Sequence, residues 1–122
     1  MNVVGRLPQA RLSEEMLRSG VLAYPCTYPE VSCVTGLRAA AAGCAVVYTK
    51  VAALPETMPD DTFALDPASS TTEGLAATIV RAIRAADYPR DNIARLVLER
   101  DSWSAGAARV AGCFELVDLE CA

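Results

Sequence analysis

Val21-Leu22-Ala23-Tyr24-Pro25-Cys26-Thr27-Tyr28-Pro29-Glu30 is the stretch that decides how this chain is read. Its first four residues form a continuous apolar run, which predicts a strand covered on both faces, as in a parallel sheet. Two prolines then end the strand, because proline has no N–H to give to a sheet ladder. Glu30 closes the loop just ahead of an alanine-rich helix predicted over Ser32 to Ala42, with Gly43 as its stop. The first turn of a helix leaves backbone N–H groups unpaired and carries the positive end of the dipole. One carboxylate is thus expected beside a cradle suited to phosphate, at the carboxyl end of a sheet.

The same alternation of apolar runs and helical patterns continues on both sides, which points to an α/β domain with a parallel sheet. Ala45-Val46-Val47-Tyr48 reads as the next buried strand, Leu54 to Thr57 as one helical turn, and Thr62 to Leu65 as a short strand. Asn2 to Val4 is a brief strand candidate. Upstream, Ser13 is positioned as an N-cap with Glu14 and Glu15 in the first turn, Leu12 set to staple against Leu17, and Gly20 as the stop. The later half reads as helical. Ser70 and Glu73 have capping-box spacing, and Leu75, Ile79 and Ile83 recur on one face. Asp91 to Arg100 places Ile93, Leu96 and Val97 on one side. Ser102 opens a closing helix over 102–119, in which Trp103, Ala107, Val110, Phe114 and Val117 form a stripe expected to face the core.

Composition narrows the classes. The chain has 122 residues, enough for one domain with a real core, and 52% of them are hydrophobic. A net charge of −4 argues against general attraction to nucleic acid or an anionic membrane. No apolar run is long enough to span a bilayer and the N-terminus lacks a signal-like core, so the cytoplasm is the expected compartment. The 5 cysteines show no Cys-x-x-Cys spacing, and Cys33 and Cys44 read as small buried residues. There is no histidine, so nucleophile systems that rely on histidine as base are excluded within the chain, and no metal site is expected.

Taken together, these residues resemble the C-terminal, donor-binding domain of retaining GT-B glycosyltransferases, the group 1, family 4-like enzymes. The likeness runs through Tyr24-Pro25, Glu30, Leu37-Arg38-Ala39-Ala40-Ala41-Ala42-Gly43, Ala45-Val46-Val47 and Ala53-Leu54-Pro55-Glu56-Thr57, and ends at Ser102-Trp103. It spans nearly the whole chain and implies a Rossmann-like, three-layer parallel sheet, residues 1–122 being one partial donor domain with a helical C-terminal half. It also implies binding of a nucleotide-diphosphate sugar as donor substrate, with no separate cofactor. Glu30 would accept hydrogen bonds from the sugar hydroxyls, and the backbone N–H groups of Val31, Ser32, Cys33 and Val34 would face sugar and diphosphate. Thr49-Lys50-Val51 would border the same crevice. The competing reading of Glu30 is a surface acid that only complements the helix dipole.

The chain departs from that pattern in two places. Eight positions after Glu30 the family has a second Glu for the ribose hydroxyls, and here Arg38 stands there. A guanidinium only donates hydrogen bonds, so the ribose contact is expected to be lost, at a cost of ~1.5–3 kcal/mol in donor affinity. The acceptor domain, the first strands of the donor domain and the basic pair that neutralises the diphosphate have no counterpart in the sequence. No catalytic residue is therefore assigned, and the chain alone is expected to be inactive. The truncation would expose an edge at Val21 to Tyr24, open to a partner chain, to a second copy or to Asn2 to Val4 moving in beside it. The alternative function is a non-catalytic α/β remnant serving as a binding or assembly module. A flavodoxin-like domain fits less well, since the acidic pocket of receiver domains and a Gly-rich phosphate loop are both lacking.

Overall fold

A three-stranded parallel sheet organises the chain, with β1 (Val21–Tyr24), β2 (Ala45–Thr49) and β3 (Ala64–Leu65) adjacent in sequence order. The structure is a computed structural model that describes residues 3–120, with side chains as far as residue 112. Val21 lies opposite Ala45 and Tyr24 opposite Tyr48, while Tyr48 pairs across to Ala64. Among the described residues six α-helices accompany the sheet: α1 (Gln9–Arg18), α2 (Val34–Ala41), α3 (Leu54–Thr57), α4 (Thr72–Arg84), α5 (Arg90–Asp101) and α6 (Trp103–Glu120).

The alternation of a strand sends neighbouring side chains to opposite faces. Along β2, Val46 and Tyr48 enter a core with Cys33, Ala39, Ala40, Leu54, Met58 and Val97, whereas Ala45 and Val47 join Phe63, Leu65 and Ala82. Helices α2 and α5 thus cover one face and α4 the other, and every residue of β2 is buried. Small residues bring α2 close: Ala39 and Ala40 are fully buried, and a Cβ on Gly36 would lie 2.8 Å from both Sδ and Cε of Met58. Gly43 ends this segment at φ +81°, a left-handed turn that favours glycine. At the opposite end of the sheet the Arg90 guanidinium donates to the carbonyls of Gly20 (2.5 Å) and Gly43 (3.1 Å), tying α5 to the start of β1 and β2.

Several local expectations need correction. Helix α1 starts at Gln9 behind Pro8, and Ser13 lies inside it, donating its hydroxyl to the Gln9 carbonyl at 3.0 Å instead of capping. Proline preset the entry, and a serine with two acids after it mimics a cap. Leu17 is exposed, so it makes no staple. Val3 and Val4 are exposed and outside any strand, and Asn2 lies outside the described residues. Among the described residues nothing pairs with the outer edge of β1, and Ala23 is open to solvent. The α4 cap is Thr71, whose Oγ1 accepts from the Gly74 N–H at 3.1 Å, one residue later than the Ser70 register.

The inward faces of the later helices also shift. On α4 the buried residues are Thr78 and Ala82, while Ile83 is exposed; on α5 Val97 is buried and Leu96 is not. The α6 stripe fails as a core face at its described positions, since Trp103 and Val110 are exposed, and the Phe114 and Val117 side chains lie outside the described residues. Cys33 and Cys44 are buried as free thiols. Among the described residues no helix is long and apolar enough to cross a membrane.

Candidate functional site

Glu30 sits in the loop between β1 and α2, at the carboxyl end of the sheet, and is half-buried. Its Oε1 accepts a hydrogen bond from the Tyr24 hydroxyl, the last residue of β1. The Cys33 thiol lies within reach of the same carboxylate and contributes a side-chain hydrogen bond to it. Its backbone carbonyl accepts from the Ala53 N–H at 3.2 Å. That bond joins the loop after β1 to the entry of α3, so the Glu30 and Leu54-Pro55-Glu56-Thr57 segments meet over the ends of β1 and β2.

The residues after Glu30 separate by role. Val31 is 90% exposed and Ser32 and Val34 are also exposed, whereas Cys33 is buried and caps α2, its Sγ accepting from the Gly36 N–H at 3.3 Å. Among the described residues none of the backbone N–H groups from Val31 to Val34 donates to a protein acceptor. A carboxylate next in sequence to several unpaired N–H groups can accept from hydroxyls while those groups donate to an anion.

Arg38 does not join this group. It is exposed one turn further along α2, where its guanidinium donates to the Gln9 side chain of α1, and it lines the grooves on either side of α2. Glu30 lines neither groove. Thr49 is buried and turns its hydroxyl to Ser70, 2.8 Å away, so it does not offer that hydroxyl to the site. Lys50 pairs with Asp61 at 3.4 Å.

Two features escape a reading of the sequence. One is the Tyr24–Glu30 pair, which needs the loop to fold back on its own strand; the tyrosine six residues before the acid was its only trace. The other is Ala52, which holds φ 50° in the turn between β2 and α3. A side-chain-bearing residue in the left-handed region costs of order 1–3 kcal/mol, and such strain clusters at functional loops. No local signal marks an alanine for that role.

Several phenols and thiols of the chain are shifted toward their neutral forms. The hydrogen bond to Glu30, with burial second, raises the Tyr24 phenol well above its ordinary value. Burial raises the Cys33 thiol, the Gly36 N–H opposes it, and the Glu30 charge adds to the rise. Burial pushes Tyr48 up to about 12, with Asp61 and Asp60 contributing. Cys44 and Tyr88 are raised by burial too. Each group holds its proton longer in the folded chain than in the unfolded one, so stability falls as pH rises through this range. The melting temperature should be flat up to pH 9.0, the ordinary thiol value, and then drop, most steeply above the phenol value of 10.0. Circular-dichroism melts with tyrosinate absorbance recorded in parallel measure this. A melting temperature that holds through pH 12 would show these side chains to be solvated.

Neither a protein-family model, nor a curated protein, nor a solved structure matches the chain.

Proposed function

We propose that the chain is a sugar-nucleotide-binding module of the GT-B donor-domain type, with a Rossmann-like sheet, in which Glu30 accepts hydrogen bonds from the sugar hydroxyls of a nucleotide-diphosphate sugar. The N–H groups of Val31 to Val34 receive the sugar and diphosphate oxygens at the start of α2. The observation that carries this reading is the Ala53–Glu30 backbone bond, which brings the two motif segments together at the carboxyl ends of parallel strands. Strands β1, β2 and β3, adjacent in chain order, also fit the last three strands of such a domain. Transfer itself would need a second lobe to hold the acceptor against the departing diphosphate.

Arg38 favours a second reading, a binding or assembly module that has given up donor chemistry. Its guanidinium is engaged with Gln9, and nothing replaces the acceptor that a ribose requires. Differential scanning fluorimetry with UDP- and GDP-sugars separates the two. A ligand held only by the native state raises the melting temperature, on the order of 10 °C at ~100 times its Kd. The first reading predicts such a rise with at least one donor, and a larger one in Arg38→Glu. No rise in either protein with any donor leaves the assembly module.

A further inference from the structure

Two unfavourable features meet in the short segment that follows β2. Ala52 holds φ 50° at the entry to α3, a left-handed backbone that any Cβ disfavours. Tyr48 is 1% exposed, and none of the described residues bonds its hydroxyl. A phenol withdrawn from water without a partner destabilises the arrangement that buries it. Tyr48 shares its core cluster with Leu54 and Met58, which bracket α3, and the charges of Asp61 and Asp60 just beyond add to the rise that burial gives its phenol. The segment from Ala52 to Met58 thus packs into the part of the core that holds Tyr48. Lifting it would relax the backbone at Ala52 and give water a path to the hydroxyl.

Other contacts hold the segment down. Leu54 and Met58 are buried, the Arg100 guanidinium donates to the Thr57 carbonyl at 2.7 Å, and the Ala53 N–H donates to the Glu30 carbonyl. Within α3 the Glu56 and Thr57 N–H groups share the Ala53 carbonyl, and the Met58 N–H donates to that of Leu54. The sheet does not depend on these bonds, since β2 is paired to both β1 and β3 and packed by α2 and α4. Burial and hydrogen bonds therefore oppose backbone strain and a desolvated hydroxyl within one short segment. Such a segment can open at a lower cost than the strands beneath it.

We propose that Ala52 to Met58 form a lid that opens as one unit while the sheet stays folded, and that its opening breaks the Ala53–Glu30 bond and frees the loop carrying Glu30. The lid would then regulate the site of the sugar-nucleotide reading, but its opening is measured without ligand, so failure of one leaves the other standing. Native-state amide hydrogen exchange of the full chain, followed by NMR, tests it. The Ala53, Glu56, Thr57 and Met58 amides should share one protection factor, roughly tenfold or more below that of the β2 ladder amides. Ala52→Gly and Tyr48→Phe each remove a cost that opening relieves, so each should raise the protection of all four amides roughly fivefold. Fraying of an ordinary short helix would instead give unequal protection factors that neither variant moves, and that result overturns the proposal. So does lid protection equal to that of β2. A fall in protection in Tyr48→Phe would show that the hydroxyl is satisfied in the closed segment, which also overturns it.

Discussion

Leu54→Ala is expected to destabilise the protein by about 2–5 kcal/mol, a large share of the total for a domain of this size. Leu54 is 1% exposed and packs with Cys33, Tyr48 and Met58 beneath α2. It opens α3 directly after Ala53, the residue that holds the Glu30 carbonyl. The cavity would therefore remove buried apolar contacts and loosen the anchor of the site loop at once. Urea unfolding monitored by circular dichroism measures the loss, with Leu54→Met as the volume-conserving control, expected to cost less than ~1.5 kcal/mol. A midpoint unmoved by Leu54→Ala would contradict the packing of α3 over the ends of the strands.

Glu30→Ala carries the other large effect: the donor-induced rise in melting temperature should disappear. Glu30→Gln keeps an acceptor oxygen but loses the charge, and a hydrogen bond to a charged group is worth about 1.5–3 kcal/mol, so affinity should fall roughly 10- to 150-fold. Tyr24→Phe provides the contrast. It removes the hydroxyl that donates to Oε1 and leaves the carboxylate in place, so donor binding should persist. A full thermal response in Glu30→Ala would assign the carboxylate to the helix dipole and the tyrosine alone.

What the sequence made legible follows from how local the signals were. Val21 to Tyr24, set between Gly20 and Pro25, and Ala45 to Tyr48, two residues after Gly43, are short apolar runs, and both are strands. Gly43 was readable as the end of α2 because only a left-handed turn could follow six residues of helix-forming Leu, Arg and Ala. Caps were less legible: Ser70 and Thr71 are both competent, and tertiary placement chose Thr71. Periodicity alone misplaced the α6 stripe, because an apolar face does not say whether it meets the chain's own core or something outside it. In the site, the position of Glu30 at a loop end was readable from Pro29 and the following helix. Its partner Tyr24, the backbone bond to Ala53 and the strained Ala52 depend on the loop folding back over the sheet, which no spacing encodes. The fate of Arg38 was legible only as chemistry: donors in place of an acceptor. Its Gln9 partner lies in a helix that begins five residues ahead of where a Ser13 cap places it.

Glu30 and the free amides beside it are the groups proposed to receive a sugar nucleotide. Titrating 15N-labelled protein with UDP- and GDP-sugars while recording amide chemical shifts tests this directly. The prediction is a saturable movement centred on the Val31, Ser32, Cys33 and Val34 amides with one donor class, abolished in Glu30→Ala. Shifts confined to the grooves around Arg38, or no saturable shift with any donor, would contradict it.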